Sequence, residues 1–231
     1  MAALGTRGMI GTRNEGSLHG GLKEYYRRPG ARVEAEVDGY IIDLVQGDCL
    51  LEIQTGNFSA LKPKLRSLLP NYRLHVVFPI PLERYLVYVD QTTGEVLTRR
   101  RSPKKGTIYD LFGELIRIPQ FLPHPNLTVE AVYIVEEEIR CDDGRGSWRR
   151  RGVSIVDRRL CAVTGKQVFG SAGDYLSVLP SDLPEPFTNK QLADMARISE
   201  QAARKVTYTL RKAGWLLEAG RQGNSILHQV G

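Results

Sequence analysis

A chain of 231 residues, 42% of them hydrophobic, can bury a sizeable core, which excludes a disordered or fibrous protein. Its net charge of +6 favours an acidic polymer as partner. Cys49, Cys141 and Cys161 are dispersed without a C-x-x-C pair, so a zinc ribbon and a disulfide scaffold are disfavoured. Without a long apolar run or a signal core, a soluble, cytoplasmic protein with no membrane partner is expected.

Taken in order, residues 1–17 are glycine-rich and predict a mobile arm. Residues 18–28 predict a short helix with Leu22, Tyr25 and Tyr26 on one side, stopped at Pro29-Gly30. Residues 32–37 follow as a strand. In residues 40–69 two β-rich apolar runs flank Gly47-Asp48 and an amphipathic pattern begins at Ser59, which predicts strand, tight turn, strand, loop and helix. Glu52 and Gln54, two residues apart, share one face of the second strand, while Leu51 and Ile53 share the other. A hairpin through Gly47-Asp48 brings Asp43 across from Glu52, making a cluster of oxygen ligands. Two carboxylates on adjacent strands suit Mg²⁺, which binds through one or two carboxylates, waters and a substrate phosphate.

This Asp…Glu-x-Gln arrangement resembles the core of the PD-(D/E)XK, or restriction-endonuclease-like, nuclease superfamily, over roughly residues 18–90. The resemblance implies an α/β fold with an αβββαβ core, here carrying additional strands, and phosphodiester hydrolysis with Mg²⁺ or Mn²⁺. Asp43 matches the first acid and Glu52 the second, and Gln54 stands where most members have lysine. The Glu-x-Gln variant occurs in some restriction enzymes. Glutamine can orient a water but cannot take its proton at neutral pH. Lysines at the start of the helix over residues 59–69 would then replace the missing one, with Lys62 the candidate. In some relatives a glutamate of the first helix completes the metal site, which makes Glu24 a candidate ligand, with Glu34 or Glu36 of the next strand competing for the task. Many relatives act as homodimers.

Beyond this core, residues 74–80 predict a strand buried on both faces and closed by Pro79 and Pro81, and residues 85–89 another strand before a turn at residues 91–94. The basic run with Arg99, Arg100, Arg101, Lys104 and Lys105 reads as a loop clamping DNA phosphate ahead of a helix over residues 107–117. Residues 128–139 predict a strand ending in Glu136, Glu137 and Glu138. Consecutive strand residues point to opposite faces, so the three cannot converge on a metal, and solvated charge is expected. A loop follows in which Trp148 beside Arg149, Arg150 and Arg151 combines stacking with charge, as a groove or single strand requires. A strand over residues 153–157 comes next.

Three prolines in residues 180–186 mark a linker, so domains are expected at residues 18–180 and 187–231, with the linker at residues 181–186. The second contains Thr188 and Gln191 at capping-box spacing, a helix over residues 189–197, a second helix capped by Ser199, and two short strands around a Gly-rich tip. That order resembles a winged helix-turn-helix domain. The resemblance implies that Gln201, Arg204, Lys205, Tyr208 and Arg211 face a DNA groove and that Arg221 sits on the wing. The leading expectation is a metal-dependent DNA nuclease. The alternative is a catalytically inactive, nuclease-like DNA-binding protein or transcriptional regulator.

Overall fold

The computed structural model describes residues 16–231, so the arm expected at the N-terminus falls almost wholly outside it. The elements are α1 (Ser17–Tyr26), β1 (Arg32–Val37), β2 (Tyr40–Gln46), β3 (Cys49–Ile53), a 3-10 turn (Phe58–Leu61) running into α2 (Lys62–Leu68), β4 (Arg73–Val89), β5 (Val96–Arg101), α3 (Ile108–Leu115), β6 (Leu127–Asp142), β7 (Val153–Phe169), α4 (Ala172–Leu176), α5 (Asn189–Ala196), α6 (Glu200–Lys212), β8 (Leu216–Gln222) and β9 (Ser225–Val230). Among the described residues seven strands form one mixed sheet in the order β1-β2-β3-β4-β6-β7, with β5 on the distal half of β4. The β3/β4 and β4/β6 pairs are parallel and the rest antiparallel. No helix among the described residues is long and apolar enough to cross a membrane.

Period-2 alternation splits the strands between two apolar layers. Leu50, Val76 and Ala131 face a layer built with Leu61 and Leu65 around α2 and Leu111, Phe112 and Leu115 of α3. Their neighbours Leu51, Val77 and Val132 face Leu18 and Leu22 of α1. Each fully buried Leu, Val or Phe contributes about 1.5–3 kcal/mol relative to exposure. Ala203, Val206 and Leu210 of α6 join the same core as α3, and Tyr175 of α4 stacks on Trp215 with ring centroids 4.8 Å apart. The two C-terminal helices start at side-chain caps, Thr188 accepting from Gln191 N and Ser199 from Ala202 N.

Strand β4 is one continuous strand of 17 residues, where a break at Pro79 and Pro81 was expected. Pairing with β3 ends at Ile53↔Val77 and pairing with β5 begins at Tyr85↔Arg101, so between them β4 has a free edge. The carbonyl of Val77 points to that edge, where it accepts from Gln54 N, and by alternation Pro79 and Pro81 point there too. A missing N–H costs nothing on that side. A bulge between Pro81 and Glu83 then resets the register against β6. Gly106 closes on the exposed edge, donating to the Pro81 carbonyl at 2.8 Å. A Cβ there would lie 2.7 Å from Ile80 Cγ2 and 2.9 Å from Pro81 O. Gly106→Ala is therefore expected to destabilise by about 1–3 kcal/mol, read as a shift of the urea midpoint at unchanged slope.

Two more expectations need correction. Strand β7 spans 17 residues rather than five, and Arg99, Arg100 and Arg101 lie in strand β5 rather than a loop. Glu136 and Glu138 are not solvated: they are 1% and 2% exposed. Sharing one face, they sit among arginines of β4, β7 and their own strand, Arg84 Nε at 2.5 Å from Glu136, and Arg140 Nη2 at 2.6 Å and Arg158 Nε at 3.6 Å from Glu138. Glu137, on the other face, meets the exposed Arg99 at 2.9 Å.

Candidate active site

The tight turn at Gly47, with φ +60°, sets the β2–β3 register at Leu44↔Leu51 and Val45↔Leu50. Beyond Leu44↔Leu51 the ladder pairing ends, and the Asp43 carboxylate instead bonds β3 next to Glu52. Asp43 Oδ2 accepts from Ile53 N at 2.8 Å and lies 3.1 Å from His19 Nε2 of α1. Glu52, 5% exposed, accepts from Lys64 Nζ at 2.6 Å, and the same ammonium donates to the Ile41 carbonyl at 2.8 Å. Burial opposes the Asp43 charge, yet the His19 and Ile53 hydrogen bonds and the nearby Lys23 charge outweigh it and hold its carboxyl below the usual range. At Glu52 burial wins: helped by the Asp43 charge and only partly offset by Lys64, it pushes the carboxyl up. Two neighbouring carboxylates are thus driven apart in acidity.

The other predicted site residues fall as follows. Gln54, just past the end of β3, donates to the Gly56 and Asn57 carbonyls and is occupied by its own loop. Lys62 does not reach the acids. Two residues of helix turn the side chain by about 200°, so Lys64 faces Glu52 while Lys62 faces a cleft beside Arg117 and Tyr208. Glu24 points outward, its side chain 77% exposed and 3.6 Å from Arg27. Glu34, at a positive-φ kink in β1, pairs with Lys23 at 2.7 Å and touches the site only through that lysine. The α1 residues that do reach the site are His19 and Lys23. Their i,i+4 spacing beside Leu18 and Leu22 was the available signal.

At the other end of α1, buried Glu130 lies 2.9 Å from His75 Nε2 and 3.4 Å from Lys166 Nζ, and accepts from the Tyr26 hydroxyl. Burial raises its pKa, but the His75 and Tyr26 hydrogen bonds prevail and hold it low. A carboxyl depressed by folding stabilises above its unfolded pKa and loses that stabilisation as pH falls through its folded value. Melting temperature followed from about pH 6 to pH 3 should therefore fall less steeply in Glu130→Gln than in the wild type.

Among the described residues no three His, Cys, Asp or Glu side chains form a metal cage. Mg²⁺ does not demand one. Two carboxylates with room for waters and a phosphate are the donor set it uses, whereas zinc wants nitrogen or sulfur. Asp43 and Glu52 supply two oxygen-donor carboxylates, a donor type suited to Mg²⁺ or Mn²⁺ and not to zinc.

The expected DNA-contacting residues are spread over the surface. Arg99 stacks on Tyr85 at 3.8 Å, Arg101 pairs with Glu83 at 3.0 Å, and Arg100 bonds the Tyr88 hydroxyl. Lys104 and Lys105 are exposed, Lys104 beside a cavity of about 180 Å³ shared with Arg84 and Arg158. Trp148, in the connection between β6 and β7, is 83% exposed with Arg149 5.6 Å from its ring, and Arg150 Nε donates to the Val153 carbonyl. On α6, Gln201 is exposed and Arg204 pairs with Glu200 at 2.7 Å, while Arg211 and Arg221 both approach Glu218, at 3.2 and 3.9 Å. Lys205 and Tyr208 turn toward α3 and the segment after it.

An uncharacterized protein of Treponema pallidum (strain Nichols) is 33% identical over 221 residues, covering 95% of this chain and 87% of its own. No solved structure matches the chain. Residues 16–170 match the family described as a domain of unknown function (DUF8091), and the chain belongs to that family.

Proposed function

We propose that the protein is a metal-dependent nuclease that hydrolyses phosphodiester bonds of DNA at Asp43 and Glu52, with the C-terminal helices and β8–β9 hairpin acting as a winged helix that holds the nucleic acid. The observation that carries this reading is the adjacency of two acids on β2 and β3: Asp43 bonds the backbone N–H of Ile53, the residue next to Glu52, and its charge is felt at Glu52, which Lys64 of α2 engages. A mixed sheet in which β3 and β4 run parallel around α2 supports it, as does the basic surface.

Asp43 and Glu52 would hold the Mg²⁺ or Mn²⁺, which when bound activates a water and neutralises charge on the phosphate oxygens. Lys64 fixes Glu52 and stands where its ammonium can bond a phosphate oxygen. His19 and Ile53 N fix the Asp43 carboxylate, so that its remaining oxygen is presented without rotation. Gln54, tied to its loop, closes the end of β3 and takes no part in proton transfer. That last feature also favours a second reading, a DNA-binding protein on an inactive nuclease-like scaffold.

Calorimetric titration separates the two. The nuclease reading expects Mn²⁺ or Mg²⁺ to bind the wild type and not Asp43→Asn. Equal heats from both proteins would leave the second reading standing.

A further inference from the structure

The cleft between the start of α2, the end of α3 and α6 encloses about 380 Å³. Its polar lining residues are Ser59, Lys62, Arg117, Gln120 and Tyr208, every one of which carries a hydrogen-bond donor. No carboxylate lines it. Two other cavities differ in this respect, the one beside Lys104 including Asp110 and Glu136 and the one beside Arg32 including Glu36, Asp38 and Asp48. Glu114, the partner of Arg117 at 3.5 Å, also accepts from Phe58 N at 2.9 Å. Lys62 makes no ion pair among the described residues.

Arg117 already has Glu114 as a partner, but Lys62 adds a second positive charge to the same cleft, which an anion would offset. Arginine offers a planar fork matched to phosphate, lysine a compact charge, and the hydroxyls and amide bond the remaining oxygens. We propose that this cleft binds a phosphate group, drawn either from a nucleic-acid backbone or from a small phosphorylated ligand. Lys62 belongs to the sheet unit and Tyr208 to the C-terminal helices, so a bound phosphate ties the two together. The proposal stands apart from the cleavage reading, because it concerns binding at residues outside the Asp43–Glu52 site.

The test uses the full chain and a Lys62→Gln/Arg117→Gln double variant. Inorganic phosphate is titrated at constant ionic strength against chloride while melting temperature is read, and anisotropy of labelled single-stranded and duplex oligonucleotides is read in EDTA, so that no cutting intervenes. Phosphate near saturation should raise the wild-type melting temperature by about 3 °C and the variant's by far less. If oligonucleotide affinity also drops about tenfold and its salt slope shrinks by about one to two, the source is nucleic-acid backbone. Unchanged oligonucleotide affinity with the variant-sensitive phosphate shift assigns a small phosphorylated ligand instead. Equal phosphate shifts in both proteins, or none in either, overturn the proposal. Should the double variant melt low in chloride, Lys62→Gln and Tyr208→Phe, each altering one surface donor, carry the same comparison.

Discussion

Glu52→Gln is expected to lower phosphodiester cleavage on the order of 10³-fold while leaving the melting temperature at neutral pH unchanged or higher. The first part follows from the loss of a metal-holding carboxylate beside Asp43. The second follows from linkage. Folding raises the Glu52 pKa, chiefly through burial, so its stabilising contribution is full below the unfolded pKa and is lost as pH rises through the folded value. At neutral pH the ionised group is a net cost, which glutamine removes while still accepting from Lys64. Cleavage rate and melting curves on the same preparation check both halves. A steep drop in stability together with activity would mean that Glu52 serves the fold, as the anchor of α2 through Lys64.

Glu138→Ala should have the opposite profile, a loss of stability with no part in chemistry. Removing this carboxylate, 2% exposed, takes away the partner of Arg140 and Arg158, while Arg84 keeps Glu136. Breaking a buried pair by deleting one partner costs about 3–5 kcal/mol, because the uncompensated charge stays buried. At this chain length that is roughly a 10 °C fall in melting temperature. Glu137→Ala, one residue earlier, breaks only the partly solvated contact with Arg99 and should cost under about 1 kcal/mol. Denaturant unfolding of the two variants side by side reads the contrast, and equal losses would show that the arginine cluster is not held by Glu138.

What could be read from the sequence was what local physics decides. The β2–β3 hairpin announced itself through alternation around Gly47-Asp48, and the starts of α5 and α6 through Thr188 and Ser199. Asp43 and Glu52 came together because a hairpin register is a local property. Partners supplied by distant strands were invisible: nothing near Glu136 or Glu138 in the chain announces Arg84 or Arg158, and the glutamates were expected in solvent. Proline punctuation misled at Pro79 and Pro81, since whether a missing N–H matters depends on which neighbour lies alongside, and there β4 has a free edge. Helix phase was read too coarsely. Assigning α2 one basic face favoured Lys62 where Lys64 is the residue on Glu52, and placing Tyr25 inward concealed the stripe of Leu18, His19, Leu22 and Lys23 that faces the sheet and put Glu24 forward in place of His19.

A hydrolytic centre at Asp43 and Glu52 must cut DNA in the presence of its metal and lose that activity when either acid is changed. The most direct measurement is incubation of the purified protein with plasmid and with single-stranded DNA, in Mg²⁺ and in Mn²⁺, beside Asp43→Asn and Glu52→Gln. Cleavage by the wild type alone, dependent on the metal and absent in EDTA, is the predicted result. DNA bound but intact under every metal, or cleavage that survives in both variants, would contradict it.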